Sequence, residues 1–215
     1  MSDLLQKWIE QGEHLEQDFK FRIDSAAKIA ISISAFCNTS GGRLLIGVKD
    51  NGNISGVNPE EEAYMIESAA EVFTAPVPDY KLEILQSKEK KVLVATFQSD
   101  SSKIFKAKDE SGQWLTYMRI QDQNVLMPPL LQCVRATPKT SLPSGYRHSG
   151  NDLKILEWIE CSDSTNLNKI QKHIRLPRHL LIRKLAAFIS WGLIELKFEA
   201  GQWLIHSAEK NKNHD

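Results

Sequence analysis

The chain has 215 residues, 41% hydrophobic and 25% charged, with a formal net charge of zero. That material makes one large or two small globular domains with a real core. It excludes a protein whose overall charge advertises an anionic partner, so any nucleic-acid signal must be local. Three widely spaced cysteines (Cys37, Cys133, Cys161), with no C-x-x-C, argue for a reducing compartment and against a zinc site or disulfide frame.

In chain order, residues 2 to 11 predict a helix with Leu4, Leu5, Trp8 and Ile9 on one stripe, closed by Gly12. Leu15, Phe19 and Phe21 alternate imperfectly with polar residues, as in a strand. Asp24 or Ser25 can cap a second helix, whose apolar face carries Ala26, Ile29, Ala30, Ile33 and Cys37. Asn38 to Gly42 stop it, and R-L-L-I-G-V reads as a strand buried on both faces. Asn51-Gly52 marks a hairpin turn. Asn58-Pro59-Glu60-Glu61-Glu62 combines cap, N1 proline and acids at the positive end of a helix dipole, opening a helix to about Phe73.

Pro76 and Pro78 break the chain. Y-K-L-E-I-L and K-V-L-V-A-T-F form one expected hairpin; 104–107 and 114–120, turning at Ser111-Gly112, form a second. A short helix is expected from Pro128 to Val134. Residues 136–150 have linker composition, and 210–215 read as a frayed tail. The N-terminus is unlike a signal peptide, and no apolar run approaches the roughly 18 residues of a membrane span. A cytoplasmic location with no membrane partner is expected.

The region 151–209 predicts helix, helix, turn, helix and hairpin. Leu153, Leu156, Trp158 and Ile159 line the first helix, and Leu167, Ile170 and Ile174 the second. Pro177 opens the third and Gly192 closes it, with Leu181, Leu185 and Phe188 inward. This order, with Trp191-Gly192-Leu193-Ile194, resembles the winged helix-turn-helix domains of bacterial transcriptional regulators. Between Thr165 and Lys184 there are six basic residues (Lys169, Lys172, Arg175, Arg178, Arg183, Lys184) and no Asp or Glu. Such a face suits phosphate contact, and Arg178, His179 and Arg183 fall near the start of the third helix, where side chains reach base edges. Basic residues on the solvated face of a protein-docking winged helix are the alternative.

G-E-H-L-E-Q-D-F-K at 12–20, A-F-C-N-T-S-G-G-R-L-L-I-G-V-K-D-N-G at 35–52 and I-S-G-V at 54–57 resemble the Schlafen/AlbA-type nucleic-acid-binding domain. Tyr117-Met118-Arg119-Ile120 is similar to that family's tyrosine-x-arginine strand, although Gln121-Asp122 replaces its following glycine. The resemblance implies an α+β fold: a Schlafen/AlbA-like mixed sheet with packed helices over 1–135, the linker 136–150, the winged helix and the tail.

It also implies that Arg119 is a candidate phosphate contact, and that a metal-bound acid trio like that of nucleolytic Schlafens would fall on Glu13, Asp18 and Asp50. Asp18 stands where the family usually has Glu. Magnesium or manganese would be the ion, and Lys20 would set a cation beside a scissile phosphate. The plain alternative is surface carboxylates and a turn Asp. The glycine pair Gly41-Gly42 follows a helix and precedes a strand, the reverse of a phosphate cradle, so nucleotide binding there is disfavoured. The expected function is therefore a DNA-binding transcriptional regulator acting on double-stranded DNA as a homodimer. A metal-dependent nuclease and a non-catalytic interaction scaffold are the rivals.

Overall fold

The structure, a computed structural model, describes residues 3–162 and 164–208; the expected tail at 210–215 lies outside them. The chain divides into two compact units, Met1–Met127 and Pro128–Asp215.

In the first unit α1 (Asp3–Gln11), β1 (Gln17–Lys20), α2 (Ala26–Cys37), β2 (Gly42–Ile46) and α3 (Pro59–Glu71) come first. Strands β3 (Thr74–Ala75), β4 (Tyr80–Ser87), β5 (Lys90–Phe97), β6 (Lys106–Lys108), β7 (Trp114–Ile120) and β8 (Gln123–Leu126) follow. Two four-stranded sheets result, ordered β1-β2-β5-β4 and β3-β6-β7-β8. In the first, β1 runs parallel to β2, pairing Asp18 with Leu44 and Lys20 with Ile46, while β5 is antiparallel to both β2 and β4.

The continuous apolar run at β2 has the burial expected of it. Leu45 joins Leu5, Phe19, Val92 and Val94 on the α1 side. Leu44 and Ile46 turn to the opposite side, against Ile29, Ile33 and Phe36 of α2 and Ile66 of α3. Helix α2 also packs on β6 and β7 of the second sheet, which is why nearly every one of its residues is buried. Local chemistry sets the helix ends: Ser25 Oγ accepts from Lys28 N, and Asn58 Oδ1 accepts from Glu60 N ahead of Pro59. Phe21, expected on the apolar side of the first strand, is half exposed, because β1 ends at Lys20.

The second unit holds α4 (Pro129–Ala136), α5 (Gly150–Glu160), α6 (Leu167–Ile174), α7 (Arg178–Ser190) and the antiparallel pair β9 (Ile194–Glu199) and β10 (Gln202–Ser207). An isolated bridge joins Thr165 to Ile205. Ile155, Ile159, Ile170, Leu181, Leu185, Phe188, Ile194 and Ile205 form its core, and Leu130 of α4 is buried with them. The short helix expected at the end of the first region therefore falls in the second unit, packed on α7. The stretch expected as a linker is pinned to the same helix. Ser190 Oγ donates to Pro138 O at 2.6 Å, and the Tyr146 ring meets Trp191 at 4.8 Å.

Candidate functional site

The motif Asn38-Thr39-Ser40-Gly41-Gly42 is a structural joint. Asn38, 3% exposed, closes α2 and turns its amide on two distant segments. Its Nδ2 donates to Phe105 O at 2.7 Å and Tyr117 O at 2.8 Å, and its Oδ1 accepts from Phe105 N at 2.9 Å. Thr39 Oγ1 accepts from Arg119 N at 2.9 Å. A Cβ at Gly41 would stand 2.8 Å from Phe97 O, and one at Gly42 would overlap the Phe36 ring. The glycines thus permit close packing at the helix's negative end, a place unsuited to an anion. Cys37 beside them is buried, and desolvation with the Asp79 charge pushes its thiol up to about 12, so it is inert.

Arg119 is not a surface phosphate contact: it is 2% exposed. From β7 its guanidinium reaches back to β1, donating to His14 O at 3.2 Å, Gln17 O at 3.1 Å and Asn124 Oδ1 at 3.0 Å. It lies 3.6 Å from Asp18 Oδ1 and 4.8 Å above the Phe36 ring. The tyrosine-x-arginine strand and the Asn-Thr joint are therefore two halves of one bracket between the sheets.

Of the four residues expected around a metal, the structure brings Glu13, Asp18 and Lys20 together. Asp18 is 6% exposed, and Lys20 Nζ sits 2.8 Å from its Oδ2. The Glu13 and Asp18 carboxyls hydrogen-bond each other, and Glu13 Oε1 accepts from Phe19 N at 2.9 Å. Burial, then the hydrogen bond with Asp18, raises the Glu13 pKa. Burial also pushes Asp18 up, but the Glu13 hydrogen bond, Lys20 and the Arg119 charge outweigh it and hold Asp18 below the usual range. Of the two carboxyls, Glu13 is therefore the one that keeps its proton to higher pH, and Asp18 the one that ionises first.

Asp50 does not join them. It is exposed, on a turn in which Gly52 N donates to Lys49 O at 2.8 Å and Lys49 N to Asn53 O at 3.0 Å. Among the described residues no group of three His, Cys, Asp or Glu side chains is placed to hold a metal ion. The donor set does not fit magnesium or manganese, since Asp18 is buried and already neutralised by two cations.

The pair has a testable pH signature. Asp18, lowered in the fold, contributes stability present above its unfolded pKa and lost as pH falls through the folded value. Glu13, raised in the fold, contributes stability present below its unfolded pKa and lost as pH rises through the folded value. Glu13→Gln keeps a donor for Asp18 and an acceptor for Phe19 N at every pH. Its urea midpoint at pH 8 should exceed that of the native chain by the worth of about one hydrogen bond, 0.5–1.5 kcal/mol. The difference should vanish toward pH 4; an equal difference at both pH values contradicts the shared proton.

In the second unit Lys169, Lys172, Arg175, Arg178, His179 and Arg183 are exposed along α6, its turn and the start of α7. Arg175 closes α6 in the left-handed region at φ 53°. Arg178 Nη1 donates to Asn168 Oδ1 and Gln171 Oε1, both at 2.9 Å, a tether that the charge pattern did not reveal. Lys184 leaves this set because its Nζ is bonded to Asp152 Oδ1. Burial pushes the Asp152 carboxyl up, but Lys184, Ser149 and Tyr146 hold it at about 2. Lys184 is thus an internal partner of the α5 start, where Ser149 and Asp152 form a capping box. The β9-β10 hairpin adds no net basic surface: Lys197 pairs with Glu195 and His206 with Glu199.

An α+β domain with this Asn-Thr-Gly-Gly joint and arginine bracket is the class that the first unit defines. The family model for Schlafen, AlbA_2 matches residues 13–128, more than half of the chain, and the chain belongs to that family. Nucleic-acid binding is the property that membership carries at the level of the family. Among solved structures, the DIP2311 protein from Corynebacterium diphtheriae is similar at 17% identity and a TM-score of 0.44, over 80% of this chain and 32% of that one. The chain spans about a third of that protein's length. No curated protein matches it. No helix among the described residues is long and apolar enough to cross a membrane.

Proposed function

We propose that the chain is a cytoplasmic DNA-binding transcriptional regulator, a homodimer whose second unit is a winged helix-turn-helix that docks on double-stranded DNA. The observation that carries this reading is the exposed basic face of α6 and α7, free of Asp and Glu from Thr165 to Lys184. The order of three helices and a hairpin, with the Thr165–Ile205 bridge, supports it. Arg178, held by Asn168 and Gln171, keeps its other guanidinium edge for a base or phosphate. Asn168 and Gln171 extend the expected contact set in the same way. The AlbA_2 domain then assists binding or dimerises. Binding is favoured over nuclease chemistry because the Asp18 carboxylate is enclosed by Lys20 and Arg119.

The test is duplex binding by fluorescence anisotropy across a salt series. Arg178→Glu with Arg183→Glu should weaken binding by about 100-fold or more and flatten the salt dependence by about two contacts. Both residues are exposed, so circular dichroism should be unchanged. Undiminished binding removes this face and moves the contact elsewhere on the chain; no duplex binding by the native chain leaves the scaffold reading. Labelled tRNA with magnesium or manganese should stay intact; cleavage abolished by Asp18→Asn would restore the nuclease.

A further inference from the structure

We propose that the outer edge of β4 is a self-complementary pairing surface that seats β4 of a second copy of this chain, antiparallel about a two-fold axis at Leu82. This deepens the dimer reading above and rests on it.

Strand β4 is the last strand of its sheet and has a pairing partner on one side only, β5, among the described residues. The Asp79 carbonyl accepts from Gln98 N at 3.1 Å. Peptide groups alternate sides along an antiparallel strand. The odd positions of β4 therefore serve β5, and Tyr80, Leu82, Ile84 and Gln86 direct their N–H and C=O groups outward. An eight-residue edge of that kind is a template for another strand.

The side chains select one register. Lys81 and Glu83 stand two apart on one face, 72% and 42% exposed, and among the described residues pair with each other, 2.9 Å apart. Pairing about Leu82 sets Lys81 opposite the partner's Glu83, and Glu83 opposite the partner's Lys81. It sets Leu82 against its own copy as an exchanged hydrogen-bonded pair, as the outward direction of its peptide groups requires. On the other face Ile84, 58% exposed, meets the partner's Tyr80. Moving the axis one position places Lys81 against Lys81 or Glu83 against Glu83, and like charges directly opposite are destabilising. Moving it to Ile84 loses both opposite-charge pairs; moving it to Tyr80 faces Lys81 with the partner's Asp79 but sets Leu82 against the partner's Pro78, which has no N–H to give. A two-fold contact of this kind is closed: it uses the β4 edge of both copies at once and leaves β1 as the outer strand on each side. Pro78, just before the strand, has no N–H and limits the pairing to the positions beyond it.

Mass is measured by light scattering of the full chain without nucleic acid. The native chain should have twice its chain mass. Lys81→Glu alone and Glu83→Lys alone should each be monomeric, since each faces two like-charge pairs. The two variants mixed in equal amounts should recover a dimer, because every opposition is then attractive; the double swap in one chain should also dimerise. Loss of the in-strand Lys81–Glu83 bridge alone predicts no recovery on mixing. A monomeric native chain, dimeric single variants, or no recovery on mixing each overturns the proposal. Duplex binding by the monomeric variants reports separately on the basic face: retained binding there, at lower affinity, keeps the regulator reading even if the β4 register fails.

Discussion

Arg119→Ala is expected to lower the free energy of unfolding by about 3–5 kcal/mol, the range for breaking a buried ion pair by removing one partner. The guanidinium is 2% exposed and is the shared donor for His14 O, Gln17 O and Asn124 Oδ1. Truncation strands Asn124 Oδ1, leaves His14 O and Gln17 O with the main-chain donors Gln17 N and His14 N alone, opens a cavity over the Phe36 ring and leaves Asp18 with Lys20 as its remaining cationic neighbour. Arg119→Lys should fall between the two, because an ammonium can approach Asp18 but cannot fork across two main-chain carbonyls. Urea denaturation followed by circular dichroism measures the loss. A surface phosphate contact would behave oppositely, with stability within about 0.5 kcal/mol of native and weaker nucleic-acid binding. That pattern would contradict the bracket between β7 and β1.

How legible these features were depended on how far away their partners lie. Asn58-Pro59 announces α3 because its cap bond is made two residues on, to Glu60 N. The apolar run of β2 announces two-sided burial because burial on both faces requires a continuous pattern. Arg119 and Lys184 carry the same charge as true surface residues, and only the fold distinguishes them. Gln17 is 102 positions from Arg119 in sequence, and Asp152 is 32 from Lys184. Composition marks residues 136–150 as irregular chain but does not show the contact that anchors Pro138, because that comes from Ser190, 52 positions later. The family motif predicts a trio of acids at Glu13, Asp18 and Asp50. Two of them meet because β1 bends Glu13 back onto Phe19 N, whereas Asp50 is carried off by its own turn. The basic face of α6 and α7 was legible because helix periodicity and charge are both local quantities.

Asn38→Ala is expected to cost about 3–5 kcal/mol, by analogy with about 1–3 kcal/mol for each buried polar group left without a partner. Phe105 O and Tyr117 O would lose the Asn38 Nδ2 donor, and Phe105 N would lose its Oδ1 acceptor. Phe105 O retains Ser34 Oγ at 2.8 Å, which keeps the loss below the full sum. Asn38→Asp is the sharper test. It is nearly isosteric and keeps the acceptor for Phe105 N, but it aims a second carboxylate oxygen at two carbonyls. The substitution must either bury repulsion or take up a proton there, so it should be at least as destabilising as alanine at pH 7 and should recover as the pH is lowered toward 4. Asn38→Asp with near-native stability at neutral pH would mean that the amide makes no essential donation. The joint between α2 and the second sheet would then rest on Thr39 Oγ1 and on Ser34 Oγ, which bonds Phe105 O and Tyr117 N.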